Sequence, residues 1–287
     1  MELNFTRLKH ATLLLIFFLL ISAGYLAPPS SFADETWSIL PLEPLFAPLI
    51  GNFKEPSVSV IPVDNNQNFE ANVGGTAELI RWKSASDMEW GVGVFGGAFF
   101  LFQDPSLSQL KVIDWTSGFY LSEKTGPFCF RAEFKDEKSD LGDEYEYTPP
   151  ANALDFYDWH NNNLTVSFNP TDQFRAFAGG GAKVFWELYD PSESLAFAFC
   201  GAELYSSPFS ILNDSCRVYG TYYIKYQDQA GGTFDQEIQL GLQWKGDATK
   251  RRALRLAAVY YNGYSPYGRF SDQPNDQYLS IGLFIDP

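Results

Sequence analysis

The chain has 287 residues, 45% of them hydrophobic and 17% aromatic, with a formal net charge of −15 at pH 7. That sign excludes the electrostatic footprint of a nucleic-acid binder, because a phosphate backbone repels an acidic surface. With only two histidines and three cysteines there is no Cys and His spacing of the kind that builds a zinc site.

Residues 1–33 read as a signal peptide. Arg7, Lys9 and His10 precede an apolar run from Ala11 to Ala27, and Ser31 and Ala33 place small residues at the −3 and −1 positions of a cleavage site. An uncleaved anchor is the alternative, since the run is only a little short of the ~20 residues a spanning helix needs. After it no stretch is apolar for long enough to cross a membrane as a helix, so further membrane residence has to be by strands. Residues 34–56 form a Pro-rich periplasmic entry segment. Four prolines between Trp37 and Pro56 argue against a ladder strand there. The Leu, Phe and Trp content is unlike a flexible linker and favours docking against or inside the mouth of a barrel.

From residue 57 to 287 twelve segments alternate with a period of two, which is the pattern of strands with one apolar and one polar face. They are Ser57–Ile61, Phe69–Arg81, Gly91–Leu101, Lys111–Leu121, Phe128–Lys135, Leu164–Phe168, Phe174–Phe185, Leu195–Leu204, Arg217–Tyr226, Phe234–Lys245, Arg252–Tyr261 and Gln277–Ile285. The third from last is the clearest, with Phe234, Ile238, Leu240, Leu242 and Trp244 on one parity and Asp235, Glu237, Gln239, Gln243 and Lys245 on the other. Short turns (Trp82–Asp87, Glu123–Gly126, Asn169–Asp172, Gly246–Thr249) alternate with longer connections (Phe102–Gln109, Asp136–Asp158, Asp190–Ser194, Asn262–Asp276). The predicted fold is all-β, a single antiparallel transmembrane β-barrel of about twelve strands in an up-and-down meander, with two unequal ends. Ser206–Asn213 is too long for a turn and does not fit the alternation.

Alternation fixes parity but not direction, and a soluble barrel or sandwich has its apolar set inside. Three features favour lipid outside. The polar parity carries both signs, with Arg131, Glu133, Arg175, Asp235, Glu237 and Arg255 as the expected lumen set. The apolar parity ends in Trp82, Trp90, Trp115, Trp186, Trp244 and Tyr260, where interfacial girdles would lie. The last strand ends in alternating apolar residues at the C-terminus, the segment expected to meet the barrel-assembly machinery. The expected location is the outer membrane, with its lipid and lipopolysaccharide as partners. On this reading Leu240→Arg is damaging and Gln239→Arg mild. Cys129 and Cys200 share the small or polar parity and Cys216 the other, so all three are expected free, a Cys200–Cys216 disulfide being the alternative.

The connection Asp136–Asp158 crowds eight acidic residues together. Asp140, Asp143 and Glu144 are candidate ligands for Ca²⁺, which takes 6–8 oxygens in flexible geometry, with Arg269 as a charge partner. A solvated acidic loop is the alternative, and no other cofactor is expected. Phe177-Ala-Gly-Gly-Gly-Ala-Lys183 lies mid-strand with no following Ser, Thr or helix, which excludes a phosphate loop.

The run Leu254–Phe270, containing Ser265, Pro266, Tyr267, Gly268, Arg269 and Phe270, resembles the closing loop of the bacterial domain-of-unknown-function family numbered twelve-zero-seven. Trp37–Pro41 with Leu45–Leu49 and Lys54–Pro56 is similar to that family's entry segment, and Ser139–Tyr145 to its central motif. The resemblance implies an outer-membrane-like barrel of unknown function. The central motif in relatives carries histidines and serines, which implies a link to outer-membrane lipid hydrolases. Here Ser139 has no histidine beside it, and His160 is the only candidate base outside the leader. The functional readings are a surface binding or structural role, a small polar-lumen channel, or an outer-membrane lipid hydrolase-like barrel with or without activity.

Overall fold

A computed structural model describes residues 36–63, 68–84, 87–103, 109–143, 145, 158–185, 195–211, 214–228, 232–245, 253–271 and 276–286. The predicted signal peptide, Glu144 and Trp186 therefore lie outside the described residues. Fourteen strands form one sheet: β1 (Thr36–Ile39), β2 (Val58–Val63), β3 (Asn68–Lys83), β4 (Glu89–Gln103), β5 (Gln109–Thr125), β6 (Phe128–Leu141), β7 (Asp158–Thr171), β8 (Phe174–Phe185), β9 (Leu195–Tyr205), β10 (Phe209–Ile211), β11 (Asp214–Gln227), β12 (Thr233–Lys245), β13 (Ala253–Gly263) and β14 (Asp276–Asp286). Each pairs antiparallel with its neighbour, and β14 returns through β2 to β3 while β3 also pairs with β4, so that twelve of them close a barrel. Closure leaves no long free edge. A single 3-10 turn, Gly268–Phe270, is the one helical element among the described residues.

The two strands outside the ring explain two departures from the sequence reading. Thr36–Ile39 does form a ladder strand, with Trp37 opposite Trp82 at one end of β3. The prolines begin only at Pro41, so they break the chain after this strand and not within it. The long connection between β9 and β11 contains β10, which folds back on β11 with Phe209 opposite Cys216. That hairpin accounts for the extra length of Ser206–Asn213.

Direction is settled by exposure. On β12, Phe234, Ile238 and Leu240 are exposed, while Asp235, Glu237, Gln239 and Gln243 are buried. Val92, Val94, Phe119, Leu121, Val218, Leu254, Leu256, Leu279 and Ile281 continue the exposed apolar surface on the neighbouring strands. The polar set faces the lumen and the apolar set faces out, the reverse of a soluble barrel. Cys129 and Cys216 are buried and Cys200 is exposed, and all three are free thiols.

The acidic connection is shorter than its charge implies. Strand β6 runs on to Leu141 and β7 begins at Asp158, with Asp136 opposite His160. Along this extension Asp136 and His160 stay exposed while Glu137 and Ser139 turn inward. The outer positions become polar there, so the apolar alternation that marks the rest of β6 disappears although the ladder continues.

Candidate functional site

Residues 40–57 leave β1, turn at Leu40 (φ 51°) and cross the interior before β2 begins. With prolines at four positions the segment satisfies only part of its own backbone, through Asn52 N–H to the Leu49 carbonyl (3.0 Å) and Glu55 N–H to the Asn52 carbonyl (2.9 Å), and a backbone buried without partners is costly. Wall side chains supply the partners. The Leu45 N–H donates to Glu78 on β3, the Ile50 N–H to Glu203 on β9 (3.0 Å), and Gln239 on β12 donates to the Ile50 carbonyl (3.1 Å). Arg175 on β8 donates to the carbonyls of Ala47 (2.8 Å) and Pro48 (3.0 Å). Glu55 accepts from both terminal nitrogens of Arg131 on β6, at 2.7 and 3.1 Å. Arg131 and Arg175 also lie over the two-sided ring of Phe46, at 4.5 and 4.7 Å from its centroid. Phe46 and Leu49 are each 1% exposed, packed with Phe177, Phe197, Phe199 and Tyr223.

Small residues make the space. A Cβ on Gly51 would lie 2.7 Å from the Thr221 hydroxyl, so the segment passes β11 only without a side chain there. A Cβ on Gly179 would come 2.4 Å from the Phe199 ring, which gives the glycine run on β8 a packing role.

The final loop closes the other side. Tyr267 is 1% exposed, and its hydroxyl donates to the Phe100 carbonyl (3.3 Å). Asp114 on β5 accepts from Lys54, from the Ser139 hydroxyl and from the Gly268 N–H. One carboxylate therefore ties the crossing segment, β6 and the 263–276 loop together. Lys54 also sits over the rings of Phe99 (4.7 Å) and Tyr267 (4.9 Å). The Arg269 N–H donates to Ser139 Oγ (3.0 Å) and its Nε to the Ser139 carbonyl (3.2 Å).

The crossing segment divides the lumen into two chambers, both walled by Asn52, Phe53, Glu55 and Glu237. The larger, of about 410 Å³, opens where the short turns and the C-terminus lie, between the apolar side of the segment (Pro44, Leu49, Ile50) and polar wall residues such as Arg217, Gln243 and Arg255. The smaller, of about 90 Å³, lies toward the long connections and is lined by Lys135, Lys183, Lys225, Trp159, Asn161 and Pro266 among others.

Of the six residues expected in a lumen, Arg131, Arg175, Asp235, Glu237 and Arg255 are buried and Glu133 lines the smaller chamber. Arg131 pairs with Glu55 and with Glu133 (3.1 Å), Arg175 lies 3.5 Å from Glu203, and Arg255 meets Asp286 at 2.7 Å. Asp235 accepts from Gln227 (2.7 Å) and the Tyr264 N–H (2.9 Å), and Glu237 from Gln239 (2.6 Å). Glu78 and Asp114, which share the polar parity of their strands, also hold the segment, and the structure adds Glu203, together with Lys54 and Glu55, for which an aperiodic segment gave no signal. Of the three candidate Ca²⁺ ligands, Glu144 lies outside the described residues and Asp140 lies in β6, 3.5 Å from Lys138; no group of three acidic, His or Cys side chains suited to a metal occurs among the described residues. Ser139 is 2% exposed inside the barrel, whereas His160 bonds Asp136 on the outer face, so they cannot act as nucleophile and base.

A family model described as "Protein of unknown function (DUF1207)" matches residues 36–286. No curated protein matches the sequence. Among solved structures, the chain is similar to the β domain of the Bordetella autotransporter BrkA, at 12% identity over 79% of this chain and 94% of that one, with a TM-score of 0.46. It is also similar to the outer-membrane-expressed OmpT of Vibrio cholerae, at 9% identity over 80% of this chain and 94% of that one, with a TM-score of 0.39.

Proposed function

The chain belongs to the DUF1207 family, whose function is unknown, and from that premise we propose an outer-membrane barrel, closed by its own N-terminal segment, that binds or scaffolds and does not conduct. The carrying observation is the crossing segment itself, held by side chains from β3, β5, β6, β8, β9 and β12. A pore needs a continuous wet path, and here the middle of the lumen is filled by Phe46, Leu49 and the Arg131–Glu55 pair.

The outer surface supports membrane residence. From Phe234 to Trp244, β12 advances by ten residue steps, about 33 Å of strand, or about 25 Å along the axis at a tilt of roughly 40°. That matches the ~25 Å apolar band of outer-membrane barrels. Trp82, Trp90 and Trp244 mark one rim and Tyr226, Phe234 and Tyr260 the other. Purified full chain in planar lipid bilayers is expected to show no stepwise conductance, and deletion of Leu45–Gly51 is expected to produce it. Discrete openings in the wild type would restore the channel reading.

A further inference from the structure

Strands β1 and β2 are two pieces of one wall strand. Both lie on the side of β3 away from β4, with Trp37 opposite Trp82 and Ser59 opposite Asn72. The crossing segment is looped out between them, and the bond from the Leu40 N–H to the Leu79 carbonyl (2.9 Å) is the last it makes to the ladder before turning inward. From Val73 to Glu78, β3 therefore has no ladder partner on that side. This window sits within the apolar band. Ala77 stands opposite Val94, and Val94 opposite Phe119, both of them exposed, while Trp82 and Trp90 mark the rim beyond. An open strand edge is not tolerated in hydrocarbon unless protein covers it or it borders a cavity. This one borders the larger chamber, whose lining takes in Asn72 and Thr76 on β3, Leu42 and Ser59 at the two ends of the interruption, and Asp286 on β14. Charge does not single the chamber out, since Arg255 is answered by Asp286, Glu203 by Arg175 and Glu55 by Arg131. Apolar surface does. On the crossing segment Leu42 and Ala47 are exposed and Pro44, Pro48 and Ile50 half-buried, and all five line the chamber. Leu40, Val60 and Val73, exposed around the window, carry this strip on to the outer surface. Bare apolar patches of this kind mark interaction sites.

We propose that the larger chamber takes one acyl chain of a membrane phospholipid, which enters sideways through the window while its headgroup stays at the rim. This rests on the membrane residence argued above. About 410 Å³ falls within the range of small-ligand sites, roughly 300–1,000 Å³. The chain lies along Leu42, Pro44 and Ile50, and Phe46, Leu49 and the Arg131–Glu55 pair stop it at mid-barrel. Lipid tails are as apolar as the strip, so contact and fit hold the chain, and it exchanges with the surrounding bilayer.

The test is photolabelling of the purified full chain in vesicles of phosphatidylethanolamine and phosphatidylglycerol, doped with a phosphatidylethanolamine that carries a diazirine midway along one acyl chain. Peptide mass spectrometry is expected to find adducts on the outer face, at Leu240 and Leu279 among others, and a second set on Pro44–Ile50 inside. Ala47→Trp and Thr76→Trp fill the chamber from opposite sides, and each should cut the inner set at least tenfold while the outer set is unchanged. Where one of these variants fails to fold, the other carries the comparison. In the wild type, a free fatty acid with the same diazirine, offered from the water phase, should label the inner set less than the phospholipid does. Stronger inner labelling by the fatty acid would mean entry from the open end and overturn the sideways route. Inner adducts that survive both substitutions also overturn the proposal. Outer adducts without inner ones overturn it and leave membrane residence standing, whereas the absence of both sets overturns membrane residence and this inference with it.

Discussion

Glu55 shows how a single side chain anchors the crossing segment. It is 8% exposed, and burial pushes its carboxyl up, but Arg131, with help from Arg175, outweighs this and holds it below the usual 4.5. A carboxyl whose folded value is depressed contributes stability that is present above the unfolded value and lost as pH falls through the folded one. Wild-type melting temperature is therefore expected to drop below about pH 4.5, and Glu55→Gln to flatten that acid limb while lowering stability near neutrality, since it leaves Arg131 with half its counter-charge. Unfolding curves of the two proteins between pH 3 and 7 check this; parallel curves sink it. Gln239 corrects an expectation at the same scale. Parity marks it as a wet lumen position where arginine should be mild, yet it is 2% exposed, donates to Ile50 and Glu237, and accepts from Arg255 (3.1 Å) and Tyr219 (3.0 Å). An arginine there would face Arg255 with no room and a like charge. Sequence shows which side a residue faces, but whether that side is water or a packed polar network depends on a segment nearly two hundred positions away.

At the scale of the strand, the proposed membrane residence places the outward face of β12 against lipid. Leu240 is 61% exposed midway between Phe234 and Trp244. Leu240→Arg is expected to cost about 2–4 kcal/mol, the range for a cation at the bilayer midplane, read as a shift in denaturant-induced unfolding in lipid vesicles. A neutral Leu240→Arg would mean that this face does not meet lipid. The ring strands were legible in the sequence from their two-residue alternation, which on β6 and β12 sets an apolar outer face against a polar inner one, while β2, β4 and β9 turn Ile61, Phe95, Phe99, Phe197 and Phe199 inward. Their ends were not. Past the apolar band the outer positions become Asp136, Lys138, Asp140 and His160, and a strand polar on both faces reads as a loop. The crossing segment was visible as Pro-rich and greasy, but its partners were beyond reach: Glu55 finds Arg131 76 positions on, and Lys54 finds Asp114 60 positions on. No periodicity links such pairs.

The whole molecule is a ring whose strength is uneven around its circumference. Strand β11 pairs with β12 along its length, from Ser215 opposite Lys245 to Gln227 opposite Thr233. At the seam, β14 meets β2 only through Leu283–Ile285 opposite Val58–Val60, and Pro62 can donate nothing to the ladder beyond. A closed barrel resists detergent because every strand edge is occupied, so opening should begin where the fewest backbone bonds have to break. The folded protein is expected to run faster than the boiled one on electrophoresis in dodecyl sulfate, with conversion on heating starting at this seam. A disulfide across it tests that order of events. Val60 and Leu283 lie directly opposite each other and both point outward, and so do Leu242 and Leu256 on β12 and β13. Oxidised Val60→Cys with Leu283→Cys should raise the conversion temperature by several degrees, whereas the same pair of substitutions at Leu242 and Leu256 should leave it within error. If both cross-links shift it equally, the barrel opens without a preferred seam, and the short β2 ladder is as strong as the long ones because the crossing segment bolts it from inside.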